Sequence, residues 1–215
     1  MPPGDGSKLG ERLRAARLGH GLSLRALARQ VGVSASMISQ IEMGKSRPSV
    51  STLYSVTTAL GLSLEDVFTQ AAAPGSILEE AAGAEDTPVA AFQSLPGHRL
   101  GHRLGPHVRP QDRQCLTLDT GVTWERLGQL PPHNTDFLLI TYPPGGTSSS
   151  SDGLMRHSGS EYGYVIAGEL TLTLGFDDIR LRPGDAVCFE STTPHRYRND
   201  GSEPAVGVWF VVERS

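Results

Sequence analysis

Cysteine is scarce in this sequence: Cys115 and Cys188 are the two thiols in 215 residues. Neither belongs to a C-x-x-C pair, so thiolate zinc and dithiol redox chemistry find no ligand set. Each lies in an apolar, strand-like context, which predicts two reduced, buried thiols. Long apolar runs are also missing. Nothing approaches the roughly 20 residues of a spanning helix, which leaves no membrane partner. Met1-Pro2-Pro3-Gly4-Asp5-Gly6-Ser7 lacks the basic flank and apolar core of a signal peptide, so the expected location is the cytoplasm. Basic charge is in overall deficit, with a net charge of −4. By region the balance differs: residues 1–70 hold eight Lys and Arg against five Asp and Glu, whereas 71–215 hold eleven against eighteen. A mildly basic head on an acidic body suits a chain whose first part alone approaches phosphates.

What is present divides the same way. From Leu9 to Phe68 apolar residues recur at helical spacing, broken by short segments with Gly or Ser. Five short helices fit. The first places Leu9, Leu13 and Ala16 on one face. The second follows Ser23, carries Leu24, Leu27, Ala28 and Val31 inward, and stops at Gly32. Ser34 caps a third, with Met37, Ile38 and Ile41 facing inward and Gly44 ending it. Ser49 or Ser51 opens a fourth over Leu53, Val56 and Leu60, and Ser63 caps a last turn through Leu64, Val67 and Phe68.

Residues 71–97 shift to Ala, Gly, Pro and acid and read as a linker between an all-helical domain at 7–70 and a second domain at 98–215. In the second, the period becomes alternating. Cys115–Leu118, Val122–Arg126, Phe137–Tyr142, Tyr162–Ala167, Leu170–Leu174, Ile179–Leu181, Ala186–Phe189 and Ala205–Val212 are strand-length and rich in β-branched or aromatic residues. Many short strands punctuated by Gly and Pro imply an all-β sandwich or barrel. The fold class is therefore multi-domain, α followed by all-β. Residues 145–151, Gly-Gly-Thr-Ser-Ser-Ser-Ser, read as a mobile loop.

A helix that enters the major groove needs an apolar inner face and small polar residues outward near its start. Ser34, Ala35, Ser36, Ser39 and Gln40 meet that need. Gln40 has the donor–acceptor pair that reads adenine, and the serines reach bases or phosphates. Lys45 and Arg47, just beyond, are placed for phosphates. The run Leu22-Ser23-Leu24-Arg25-Ala26-Leu27-Ala28 … Val31-Gly32-Val33-Ser34 … Ile38-Ser39-Gln40-Ile41-Glu42-Met43-Gly44-Lys45 … Pro48-Ser49 closely resembles the phage-repressor-like (XRE/Cro-type) helix-turn-helix family. The resemblance implies base reading from Ala35, Ser36 and Gln40, and a structural ion pair between Arg17 and Glu42. At Leu24 the sequence departs from the glutamine often found there.

A second resemblance starts at Met155-Arg156-His157-Ser158-Gly159-Ser160-Glu161-Tyr162-Gly163, and runs through Pro183-Gly184-Asp185 to His195 and Asn199. These segments look like the two motifs of the cupin superfamily, a double-stranded β-helix or jelly roll. The resemblance implies metal ligands at His157, Glu161 and His195, with Met155 in place of the usual first His. Two His and one carboxylate suit a divalent metal such as Fe, Zn, Mn or Ni, Fe(II) above all. Equally, the three residues form a polar patch that hydrogen-bonds an organic effector. Tyr162, Tyr164, Phe189, Tyr197 and Trp209 read as barrel core or rim, and His98, His102, His107 and His133 as surface residues. The two resemblances together imply a transcriptional regulator with a double-stranded DNA operator, a small-molecule effector, and assembly as a homodimer or higher homo-oligomer. An enzyme remains the alternative, because the iron-dependent epoxidase that makes fosfomycin resembles this head-plus-barrel plan and ligand set.

Overall fold

The computed structural model describes residues 5–68, 107–128, 135–151 and 153–212. The predicted linker at 71–97, and His98, His102 and His133, lie outside the described residues; His107 is exposed. The head and the β-domain belong to one compact unit.

Five helices form the head: α1 (Asp5–Gly19), α2 (Leu24–Val31), α3 (Ala35–Glu42), α4 (Val50–Ala59) and α5 (Leu64–Phe68). Serines define most of their starts. Oγ of Ser23, Ser34 and Ser49 accepts from the N–H of Ala26, Met37 and Thr52 respectively. Ser63 and Asp66 satisfy each other's backbone N–H in a capping box. Gly32 closes α2 in the left-handed conformation, φ 75°. Leu9, Leu13, Leu27, Ile38, Ile41, Leu53, Val56 and Leu60 form the head's core. Met37, expected to face inward, is exposed. The buried stripe of α3 is Ile38, Ile41 and Glu42, and Met37 falls one residue short of it.

The β-domain has nine strands among the described residues: β1 (Cys115–Thr117), β2 (Thr123–Gly128), β3 (Thr135–Tyr142), β4 (Ser160–Ala167), β5 (Leu170–Leu174), β6 (Asp177–Leu181), β7 (Ala186–Glu190), β8 (His195–Arg198) and β9 (Ala205–Val212). They form a six-stranded sheet in the order β1-β2-β3-β9-β4-β7 and a three-stranded sheet in the order β6-β5-β8. All pairs are antiparallel, and β9 lies between β3 and β4, from Thr135 opposite Val212 to Tyr142 opposite Ala205. Alternate residues of β3 are buried, and Leu138, Ile140, Tyr142, Val165, Leu172, Trp209 and Val211 fill the interior.

Three further expectations are corrected. β8 was not predicted; His195-Arg196-Tyr197-Arg198 has no β-branched residue and reads as polar. Both cysteines are exposed. They stand on outward positions, Cys188 opposite Tyr162 on a sheet face that is itself apolar: Tyr162, Tyr164, Ile166 and Phe210 are each at least 40% exposed. The serine run is not a free loop. Ser148 and Ser149 are buried; the Ser148 N–H donates to Tyr197 O, and its Oγ accepts from the Tyr197 N–H.

Candidate functional site

Two polar constellations stand out. The first is the outer surface of α3. Ser34, Ser36 and Gln40 are exposed, and Ala35 and Ser39 are half-buried. Ser34 Oγ also lies 2.9 Å from Ser36 Oγ, which orders both hydroxyls at the helix start. After α3 the carbonyl of Gln40 accepts from the N–H of Lys45 and Ser46, and this tight turn leaves Lys45 and Arg47 exposed. Both line a cleft of about 360 Å³ with Asp119 and Thr120 of the β-domain.

The inner side of α3 is pinned. Arg17 grips Glu42 with two hydrogen bonds, 2.5 and 2.8 Å, and donates a third to Leu22 O at 2.7 Å. Both side chains are buried, and the bonds to Glu42 raise the Arg17 pKa further above its ordinary value. This is the predicted ion pair. Gly10 of α1 lets the helices touch: a Cβ there would stand 2.3 Å from Ile41 O and 2.6 Å from Glu42 O.

The second constellation is His157, Glu161 and His195, whose ligand atoms all lie within 4.8 Å of one another. Glu161 is on β4, His195 begins β8, and His157 precedes β4. An antiparallel bridge between Met155 and His195 ties the two segments together. Glu161 Oε1 stands 2.8 Å from His157 Nε2 and 3.0 Å from His195 Nε2. Its Oε2 accepts from Tyr197 Oη at 3.0 Å, and Tyr197 accepts in turn from Trp209 Nε1 at 3.1 Å. The indole has room because its neighbours are glycines: a Cβ on Gly163 or Gly207 would fall within 2.7 Å of the ring. Met155 is buried beside them.

The tautomers decide what this cluster can hold. His157 Nδ1 faces the Ser158 carbonyl at 3.1 Å, and His195 Nδ1 faces the Thr193 carbonyl at 2.8 Å. A carbonyl only accepts, so each Nδ1 carries a proton. In a neutral imidazole, each Nε2 then points a bare lone pair at the same carboxylate oxygen. His195 Nε2 is buried and makes no hydrogen bond despite that 3.0 Å approach. The approach of both Nε2 atoms to one carboxylate oxygen calls for a proton or a cation among the three atoms. Backbone carbonyls on the far nitrogens are the usual support of metal-bound histidines. The donor set therefore fits a divalent metal of the nitrogen- and oxygen-preferring kind. Burial pushes the Glu161 carboxyl up, but the His157 and His195 rings against it bring it down to about 2. Burial, with the charge of Glu161, pushes Tyr142 and Tyr197 up, so Tyr197 stays a donor.

Sequence reasoning missed Tyr54. Its ring stacks on His157 with centroids 4.2 Å apart and planes 4° from parallel. The sequence signal in α4 is apolar, aromatic and β-branched residues beyond a single stripe, and Val50, Thr52, Leu53, Tyr54, Val56 and Thr57 are all buried. Such a helix is covered on more than one side. Tyr197 and Trp209, predicted as core or rim, are core residues that also orient Glu161.

A helix-turn-helix head and a cupin body on one chain fit a DNA-binding transcriptional regulator. Residues 13–67 match the family described as Helix-turn-helix, and residues 138–211 match the family described as Cupin domain. The chain carries an XRE-type helix-turn-helix domain and a cupin domain and is homologous to transcriptional regulators of that plan. It is 28% identical to HTH-type transcriptional regulator PuuR of Escherichia coli over 91% of this chain and 89% of that protein. HTH-type transcriptional regulator SutR of the same organism is 25% identical, over 89% and 86%. The crystal structure of an HTH_3 family transcriptional regulator from Vibrio cholerae shares the fold over 98% of both chains, with a TM-score of 0.62 and 21% identity. Among the described residues no helix is long and apolar enough to cross a membrane.

Proposed function

We propose that this regulator reads its operator with α3 and senses a small effector through a divalent metal held by His157, Glu161 and His195. Gln40 reads a base edge, Ser34, Ala35, Ser36 and Ser39 fit against bases and the sugar-phosphate wall, and Lys45 and Arg47 neutralise phosphates. The observation that carries the DNA half is that α3 is pinned from beneath by Arg17–Glu42 while its polar start is exposed. The sensing half is carried by two buried Nε2 atoms converging on one carboxylate oxygen. A bound ion supplies positive charge and open coordination positions for an effector oxygen. The named relatives are regulators, so the centre is taken as a sensor rather than a catalytic site.

The apolar outer face of the six-stranded sheet, with Tyr162, Tyr164, Ile166 and Phe210, supports a homodimer joined through the β-domains. Two copies of α3 then meet half-sites about 34 Å apart. The domain limits follow as 7–70 and 98–215 around a linker at 71–97, in a cytoplasmic protein. The test is an electrophoretic shift on the DNA upstream of the protein's own coding region, at fixed salt. Runs use chelator-treated protein and protein reloaded with Fe(II) or Mn(II). A specific shift that metal alters, and that is unaltered by metal in Glu161→Gln, supports both halves. Specific binding blind to metal removes the sensing half, and no specific binding removes the assignment to α3.

A further inference from the structure

The ligand centre is not built by the β-domain alone. Tyr54, on α4 of the head, is 5% exposed, lies flat against His157 and meets Trp124 edge-on at 5.8 Å. Around it the head and β-domain are joined by further contacts. The Ser51 N–H donates to Ser148 O and the Asp119 N–H to Pro48 O, both at 2.9 Å. Ser51 Oγ lies 3.4 Å from Ser149 Oγ, and the Arg126 guanidinium sits 5.8 Å over the Phe68 ring. Of these contacts, the one at Tyr54 reaches a residue of the ligand set.

A metal-binding imidazole must hold its Nε2 lone pair in the ring plane and aimed at the ion, so the orientation of that plane matters. In His157 one edge is fixed by the Ser158 carbonyl and one face by the Tyr54 ring. An imidazole coordinated to a dication is electron-poor, and its attraction to the electron-rich face of a phenol ring grows. The stack therefore differs in strength between the empty and loaded centre. It exists while the head is docked. That difference is what a ligand needs in order to bias one arrangement over another.

We propose that Tyr54 is a positioning residue of the ligand centre, supplied by the DNA-binding head, so that occupancy by a divalent cation and docking of the head strengthen each other. The inference rests on reading His157, Glu161 and His195 as a metal site. By linkage the factor is the same in both directions. The ion is thereby felt in the head through one ring contact, without a relay through the β-sheets.

The test uses the full chain and Mn(II), with free ion measured by electron paramagnetic resonance. Tyr54→Phe keeps the stack and is expected to bind within about twofold of the unaltered chain. Tyr54→Leu is expected to bind about five- to thirtyfold more weakly at the same one-to-one stoichiometry. Glu161→Gln loses the site. A second measurement covers a poorly folding Tyr54→Leu. In a background of Cys115→Ser and Cys188→Ser, Ser51→Cys with Ser149→Cys places two thiols across the junction. With oxidised glutathione as the two-electron oxidant, Mn(II) is expected to speed their conversion to a disulfide when Tyr54 is present. Equal Mn(II) affinity in Tyr54→Leu, or a cross-linking rate indifferent to Mn(II), overturns the coupling while the metal site stands. An unaltered chain that binds no Mn(II) overturns the metal site, and the coupling with it.

Discussion

The outer face of α3 and the His157 centre are made of similar polar groups in opposite physical situations. On α3, Ser34, Ser36 and Gln40 are wet, and the pairing that holds the helix lies beneath it, where Arg17 meets Glu42. In the centre the functional groups themselves are buried and already aimed, with Tyr197, Trp209, Ser158 and Thr193 fixing their orientation. A surface that must meet a long, charged partner keeps its donors hydrated and its support out of sight. The proposed metal site instead buries its polar groups and fixes their directions beforehand. Mutations should therefore separate folding from function on α3 and mix them in the centre.

The largest expected effect attacks the support of α3. Glu42→Ala leaves Arg17 buried without its carboxylate and should cost about 3 kcal/mol of stability by denaturant unfolding. A loss below about 1 kcal/mol would show that the pair is hydrated and α3 held otherwise. Next comes the wet face. Gln40→Ala should cost about 2 kcal/mol in operator discrimination, read by competition with non-specific DNA, with the unfolding midpoint unchanged. Lys45→Ala should weaken all sequences alike and reduce the salt slope by about 1. Within the centre, Tyr197→Phe removes the donor to Glu161 and the acceptor of Trp209 Nε1 together. It should cost about 1–2 kcal/mol of stability, and weaken metal binding while α3 keeps its preference for the operator. Conversely, a Tyr197→Phe chain that loses DNA selectivity at unchanged stability would erase the contrast.

The smallest effect concerns a third, exposed group that resembles neither. Arg198 pairs with Asp178 and Asp200. Hydrogen bonds from Thr173 and Arg198 hold the Asp178 carboxyl low. At Asp200 burial pushes up, while Thr171 and Arg198 pull further down. Lowered carboxylates stabilise the fold above their ordinary pKa of 3.8, and that contribution is lost as pH falls through the lowered value. Arg198→Met should therefore bring a small, salt-sensitive loss at neutral pH that vanishes in acid. A loss that grows in acid would contradict the sign.

The head was legible because its signals are local. Serine caps and a terminating glycine mark α2 within ten residues, and the structure places those caps where the sequence put them. The barrel was legible as a class and less so in phase. Where the outward residues of a strand are apolar and an inward one is charged, as at Tyr162 and Tyr164 outside with Glu161 inside, polarity does not say which parity is buried. Cys115 and Cys188 were misplaced for that reason. The grouping of His157, Glu161 and His195 was readable from the cupin motifs, while its surroundings were not. Tyr54 lies about a hundred residues from His157 in sequence, and the serine run acquires partners through tertiary contacts with Tyr197 and Ser51.

The place of β9 bears on the order of assembly. It is the last described strand, yet it fills the gap between β3 and β4, about 70 residues from the strand it pairs with along its whole length. The head can close on contacts near in sequence as soon as it leaves the ribosome, whereas the large sheet stays split until Ala205–Val212 arrives. Glu161 takes its final strand neighbour, Val211, at that late moment. During synthesis the chain therefore has its helical head before its His157 centre, and a polypeptide stalled before β9 would carry the first without the second.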